Sequence, residues 1–165
     1  MKEIGAFVQT HREVLLKQWL NQSLEMYPEQ SRALMQQNLD TFSNPIPGAL
    51  AQGLDLLLGG LCGEEGACPE KALTELGRLL GVQEMPPSEC LGFLFALKPL
   101  LTKMASRKGW KEGFKTEELI EFGLWIEQRT LGLFDQYMEH RERIYQLKGD
   151  EMKQRNYMLL RRATS

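Results

Sequence analysis

The C-terminal part of the chain contains no proline from Thr116 to Arg162, and this run constrains the fold more than any other feature. Thr116 is a good N-cap, and Glu117 and Glu118 behind it suit the first turn, where the helix dipole favours negative charge. A helix from Glu117 to Lys148 alone would be about 48 Å long. A compact domain of this length is only about 40 Å across. The helix must therefore protrude, kink or find a partner.

The two halves of this predicted helix differ in character. The first half carries apolar residues at helical spacing, which predicts that it packs on the core. These residues are Leu119, Ile120, Phe122, Trp125, Ile126, Leu131 and Phe134. From Glu139 to Arg162 there are seven basic and four acidic residues, a net charge of +3, which leaves −5 for the other 141 residues.

A thin apolar stripe at seven-residue spacing runs along the second half: Met138, Tyr145, Met152 and Leu159. This period is typical of a coiled-coil seam, although basic residues occupy the other core position. Either the stripe pairs with another helix, or this half is a solvated tail. We expect residues 1–148 to form the folded helical domain and residues 149–165 to form the protruding end of the helix.

We expect the C-terminal helix to mediate association. Protein interfaces bury aromatic and arginine side chains near their centre. The candidate contact residues are Tyr137, Arg141, Ile144, Tyr145 and Met152. A homodimer is the simplest assembly, because symmetric pairs are the commonest oligomers; another protein partner would use the same helix.

Strong helix formers dominate the rest of the chain, and strand-like alternation is scarce, so the sequence predicts an all-α protein built as a single helical bundle. Five further helices are predicted: about Glu3–Leu24, Glu29–Asn38, Pro47–Leu61, Pro69–Leu80 and Glu89–Met104. The third is apolar almost all round and belongs at the centre. Ser43 or Asn44 should cap it, and Ser88 should cap the last. Spacing predicts buried faces that include Phe7, Val14, Leu15, Trp19 and Leu20 in the first helix, and Phe93 and Phe95 in the last.

Several functional classes are disfavoured by composition and motifs. The net charge of −2 supplies no basic footprint for nucleic acid. No apolar run is long enough for a transmembrane helix, and the N-terminus lacks the apolar core of a signal peptide, so we expect a cytoplasmic protein. The chain lacks a nucleophile elbow, a phosphate-binding loop and a histidine pair at helical spacing, so we expect no catalytic residues.

The cysteines and histidines predict no metal or cofactor site. Cys62, Cys68 and Cys90 are an odd set, which favours reduced thiols. Cys62 and Cys68 bracket a glycine-rich loop at a spacing that matches no zinc pattern, and a redox role for them stays open. The charged neighbours of His140 argue against a haem pocket. The basic stretch from Lys103 to Lys115 is either a solvated loop whose aromatic residues fold back on the core or a contact for an anionic surface.

Short motifs along nearly the whole chain resemble one family. They are Trp19-Leu20, Tyr27-Pro28, Phe42 to Pro45 with Gly48, Leu50, Gly53 and Leu54, Val82 to Glu84, Pro87 to Glu89, Gly92 to Lys98, Asp135 to Tyr137, Arg141 to Tyr145, and Leu159 to Arg162. Their order and spacing are similar to the RsbRD N-terminal domain family, named after the input domain of RsbT co-antagonist proteins in bacterial stress signalling. One position departs, because Leu80 stands where family members tend to carry a basic residue.

The resemblance implies an all-α input domain, of which the non-haem globin-like bundle is one form, and it carries no catalytic residues. In larger relatives a STAS domain follows the last helix. Because the sequence stops at Ser165, we expect a stand-alone member. The implied function is a non-enzymatic signalling or regulatory binding module, with an unidentified small-molecule ligand left open. The alternative is an accessory protein of a sulfite-reducing respiratory complex, near whose genes stand-alone members occur in anaerobes.

Overall fold

Six α-helices make up a computed structural model that describes residues 1–37, 45–83, 85–109 and 113–163. They are α1 (Lys2–Ser23), α2 (Glu29–Gln37), α3 (Pro45–Cys62), α4 (Pro69–Gly81), α5 (Pro87–Arg107) and α6 (Thr116–Ala163). A 3₁₀ turn, Leu24–Met26, follows α1. No strand occurs within these ranges, so the all-α class and the long C-terminal helix are confirmed.

Helix α3 lies at the centre, between α1 and α4. Leu50, Leu54, Leu57 and Leu58 are fully buried there, as the apolar sequence of this helix predicts. With 18 residues and a mean hydropathy of 1.2, α3 is long and apolar enough to cross a membrane. That match rests on length and composition alone, and the central helix of a bundle has the same composition.

Close backbone contact positions α6 on α4. A Cβ atom at Gly77 would lie 2.4 Å from Cβ of Gln136, and one at Gly81 would lie 2.8 Å from Cβ of His140. Two glycines one helical turn apart therefore let the two helix backbones approach where larger side chains would hold them apart.

Helix α5 closes the bundle against α1 and α6. The indole Nε1 of Trp19 donates a hydrogen bond of 2.8 Å to the carbonyl oxygen of Phe93, and both side chains are buried. This bond satisfies the one polar group of the tryptophan, so the ring can lie fully inside the core.

Glu118, in the first turn of α6, caps the start of α1. Its carboxylate accepts hydrogen bonds from the backbone N–H groups of Glu3 (3.0 Å) and Ile4 (2.9 Å). Burial opposes ionisation of this carboxyl, but the backbone N–H donors and the nearby N-terminal ammonium together outweigh it and lower the pKa of Glu118. The first and last helices are thus joined by a charge-assisted cap.

Several core assignments made from helical spacing are wrong. Val14, Phe95, Ile120, Leu131 and Phe134 are exposed, whereas Leu133 and Tyr137 are buried. Spacing shows that a helix has apolar residues on one side, but the position of its neighbours decides which of them are covered. In α6 the bundle covers one side and leaves apolar residues on the other.

The predicted helix starts also need correction. Helix α5 begins at Pro87 with Pro86 at the N-cap position and no side-chain cap bond, so Ser88 lies inside its first turn. Proline suits this first helical position because it has no N–H group to leave unpaired. Thr116 is likewise the first residue of α6, and the carbonyl of Lys115 accepts the N–H of Leu119. Ser43 and Asn44 lie outside the described residues, as does Trp110.

Candidate interaction site on the C-terminal helix

Helix α6 extends well beyond the bundle that it closes. Its 48 residues correspond to a length of about 72 Å. The side facing the bundle buries Phe122, Trp125, Ile126, Leu133 and Tyr137. Tyr137 is the last of them, and every described residue from Asp150 to Ala163 is exposed. The second half of α6 therefore extends away from the bundle as a helix that no other described residue covers.

Two side chains hold α6 to the α4–α5 connection at the point where it leaves the body. The hydroxyl of Tyr137 donates to the carbonyl oxygen of Met85 at 2.7 Å, and Nη1 of Arg141 donates to that of Gln83 at 3.0 Å. Nη2 of Arg141 donates to the hydroxyl of Tyr145 at 2.8 Å, and the guanidinium carbon lies 5.0 Å from the centre of that ring. Burial raises the pKa of Tyr137, so its hydroxyl stays a donor at physiological pH.

A groove of about 550 Å³ lies beside these contacts. It is lined by Met85, Pro86, Pro87, Tyr137, Met138, Arg141, Ile144, Tyr145 and Lys148. Apolar walls with two cations at one side suit a partner segment that is apolar and carries acidic groups.

An exposed apolar stripe runs along α6: it faces away from the bundle at Leu124 and Leu131 and borders the groove at Met138 and Tyr145. We define the α6 stripe as Leu124, Leu131, Met138, Tyr145, Met152 and Leu159. These six residues are spaced seven apart, and each is between 39% and 66% exposed. The stripe spans about 53 Å, so it continues from the body into the protruding half without interruption.

Charge divides α6 into two halves of opposite sign. From Thr116 to Met138 there are five acidic residues and one basic residue, a net charge of −4. From Glu139 to Ala163 there are four acidic and seven basic residues, a net charge of +3. The α6 stripe is therefore flanked by mainly acidic residues on the half of α6 that packs on the bundle (the body) and by mainly basic residues on the protruding half (the tail).

The five residues expected to form the interface do not share one environment. Tyr137 is almost fully buried with its hydroxyl bonded, and it forms part of the groove wall. Arg141 and Ile144 are half-buried in the groove, and Tyr145 and Met152 are exposed on the stripe. A contact role for each of the five stays a prediction. Spacing also contained a signal that was missed, because the period of seven extends upstream from Met138 through Leu131 to Leu124.

Elsewhere in the described residues, polar side chains pair with one another between elements. Arg12 bonds Asp55 of α3 through Nε at 2.7 Å and also bonds Glu64 in the glycine-rich loop. All three cysteines are free thiols, of which Cys68 is exposed and Cys90 is buried. Burial raises the pKa of Cys90 to about 11. Within the described ranges, no three His, Cys, Asp or Glu side chains lie close enough together to hold a metal ion.

One family model matches the chain, that of the RsbT co-antagonist protein rsbRD N-terminal domain, over residues 13–152. The matched part begins within α1, includes the rest of the bundle, the groove and most of the α6 stripe, and ends before the Leu159 to Arg162 motif included in the resemblance. No curated protein and no solved structure matches the chain, so the globin-like form of the bundle stays a prediction. The family match covers well over half of the sequence, and the chain therefore belongs to the RsbT co-antagonist rsbRD N-terminal domain family.

Proposed function

We propose that this chain is a non-enzymatic regulatory binding module that acts in the cytoplasm through α6. The observation that carries the proposal is the α6 stripe, which is exposed on both the body and the tail. Monomeric proteins seldom expose a long contiguous line of large apolar side chains unless it is a binding surface. Membership of a family of signalling input domains supports the same function.

The spacing of the stripe favours a helical partner. An apolar residue every seven positions fits the seam of a two-helix pair, in which each side chain packs between residues of the facing helix. The simplest partner is a second copy of the chain, because self-association needs no other component and gives a symmetric pair.

The contacts at the exit of α6 supply a means of regulation. Tyr137 and Arg141 bind carbonyl groups on either side of residue 84, in the connection between α4 and α5. A ligand or protein segment in the adjacent groove would compete for Arg141 and change how firmly α6 is held. Such a change would reach the partner surface, because the same helix forms both.

Light scattering tests the proposal directly. We expect the full chain to dimerise, and the double variant Met152→Glu, Leu159→Glu to weaken dimerisation at least about ten-fold, because it places charge on the seam. Gln154→Glu is the matched control, since it adds an acidic group to the exposed tail away from the stripe and should leave the dissociation constant unchanged. A full-length protein that stays monomeric at high concentration, and binds no protein through this helix in its own host, refutes the proposal.

A further inference from the structure

Two apolar surfaces on α6 remain uncovered, one on the body and one on the tail. The body segment of the α6 stripe consists of Leu124, Leu131 and Met138, and the tail segment consists of Tyr145, Met152 and Leu159. We infer that α6 pairs antiparallel with α6 of a second copy, so that the tail of each copy covers the body segment of the other. This inference rests on the proposed function and adds the direction and contacts of the pairing.

The body segment and the tail segment are equally long, so they match residue for residue when the two helices run in opposite directions. Each contains three large apolar residues spaced seven apart, and together they are symmetric about a point between Arg141 and Glu142. A two-fold axis at that point places Leu159 level with the partner's Leu124, and Met152 level with the partner's Leu131. Every member of the stripe then meets an apolar residue over the full length of about 53 Å.

Charge favours the antiparallel direction. An antiparallel pair places the basic half of each α6, with a net charge of +3, beside the acidic half of the other, with a net charge of −4. A parallel pair in register places like halves side by side. Arg141, Lys148, Arg155 and Arg162 would then each face their own copy along the second row of the seam, and like charges at such close range destabilise a coiled coil.

Individual contacts follow from the same axis. About this axis Arg155 lies within one residue, or about 1.5 Å along the helix, of the partner's Glu127, so each pair would contain two Arg155–Glu127 contacts between subunits. Arg141, at the axis, is held by the carbonyl of Gln83 and the hydroxyl of Tyr145 in its own subunit. These bonds anchor its guanidinium to its own body and limit repulsion from the partner's Arg141.

The bundle leaves the first part of the stripe open to a partner helix. At about 100° per residue, Leu124 and Leu131 lie roughly opposite the side that buries Leu133, and Met138 and Tyr145 border the groove beside the α4–α5 connection. The partner helix therefore approaches α6 from the outside, and the two bundles lie on the outer sides of the helix pair.

Spin-label distances distinguish the two directions. Gln154→Cys and Gln146→Cys place labels on exposed positions of the tail, in a Cys68→Ser background that removes the exposed native thiol. In the antiparallel pair we expect about 40 Å between the two labels at position 154 and less than about 20 Å at position 146, since the helix rises 1.5 Å per residue. Less than about 20 Å at both positions overturns the inference while leaving association through α6 intact. A monomer without dipolar coupling overturns both.

A charge exchange supplies an independent test of the same contact. In the antiparallel pair, Arg155→Glu should raise the dimer dissociation constant by about 3- to 10-fold, because it faces the partner's Glu127. The double variant Glu127→Lys, Arg155→Glu should restore the original affinity. An Arg155→Glu variant that dimerises as well as the original protein contradicts the antiparallel contact, because a parallel pair would only exchange one like-charge contact for another.

Discussion

Replacement of Gly77 by alanine should destabilise the protein by forcing α4 and α6 apart. The added Cβ would lie 2.4 Å from Cβ of Gln136, 2.9 Å from its carbonyl carbon and 3.1 Å from the backbone nitrogen of Tyr137. Carbon atoms in good contact lie at least about 3.5 Å apart, so the helices must separate by about 1 Å. Two of the three neighbouring atoms belong to the backbone, and no change of side-chain rotamer can relieve the overlap.

The expected magnitude combines two opposing effects. Alanine is about 1 kcal/mol better than glycine inside a helix. Overpacking against a rigid neighbour costs about 1–3 kcal/mol or more, and here it also displaces Tyr137, whose hydroxyl bonds Met85. We therefore expect a net loss of about 1–2 kcal/mol in the free energy of unfolding, measured by denaturant titration.

Gly92→Ala is the matched control. Gly92 lies inside α5, is exposed, and would place its new Cβ with nothing within 4 Å. The same substitution should therefore stabilise the protein by about 0.5–1 kcal/mol through helix propensity and the smaller entropy of the unfolded chain. If Gly77→Ala proves as stable as the original protein or more so, the close approach of α4 and α6 does not set their packing.

Three further substitutions and one labelling experiment test other parts of the fold. Phe93→Ala should cost about 3–5 kcal/mol because it empties a buried site, whereas Phe95→Ala should change the free energy of unfolding by less than about 0.5 kcal/mol because Phe95 is exposed; equal losses in denaturant titration would contradict the assigned face of α5. Glu118→Gln should cost about 1–2 kcal/mol at pH 7 by weakening the cap of α1. The pKa of Glu118 is lowered in the folded protein, so its contribution is present above the unfolded pKa of about 4.3 and is lost as the pH falls through the lower folded pKa. Melts of the two proteins should therefore converge only in strong acid, and a gap that persists at about pH 2 argues against an ionised cap. Thiol labelling at pH 8 should modify Cys68 rapidly and Cys90 only on unfolding, because burial raises the pKa of Cys90 to about 11; rapid labelling of all three thiols in the folded protein would show that Cys90 is accessible.

The sequence alone determined the helical class and the existence of a helix longer than its domain. Both depend on local properties: helix propensity, the placement of prolines, and a proline-free run longer than a compact domain is wide. The central position of α3 was predictable for a similar reason, since a helix this apolar must bury most of its leucines against neighbouring helices. The family was recognisable because its short sequence motifs occur in the same order along this chain.

The tertiary structure alone decided which side of α6 the bundle covers. Three residues of α6 are as apolar as core residues and yet are exposed: Ile120, Leu131 and Phe134. The reason is that Gly77 and Gly81 bring α4 against the opposite side of the helix. It also placed Tyr137 in the core and Arg141 on the carbonyl of Gln83, contacts that join residues more than 50 positions apart. Periodicity describes one helix at a time, whereas the exposure of a side chain depends on where the other helices lie, and that arrangement is a property of the packed bundle.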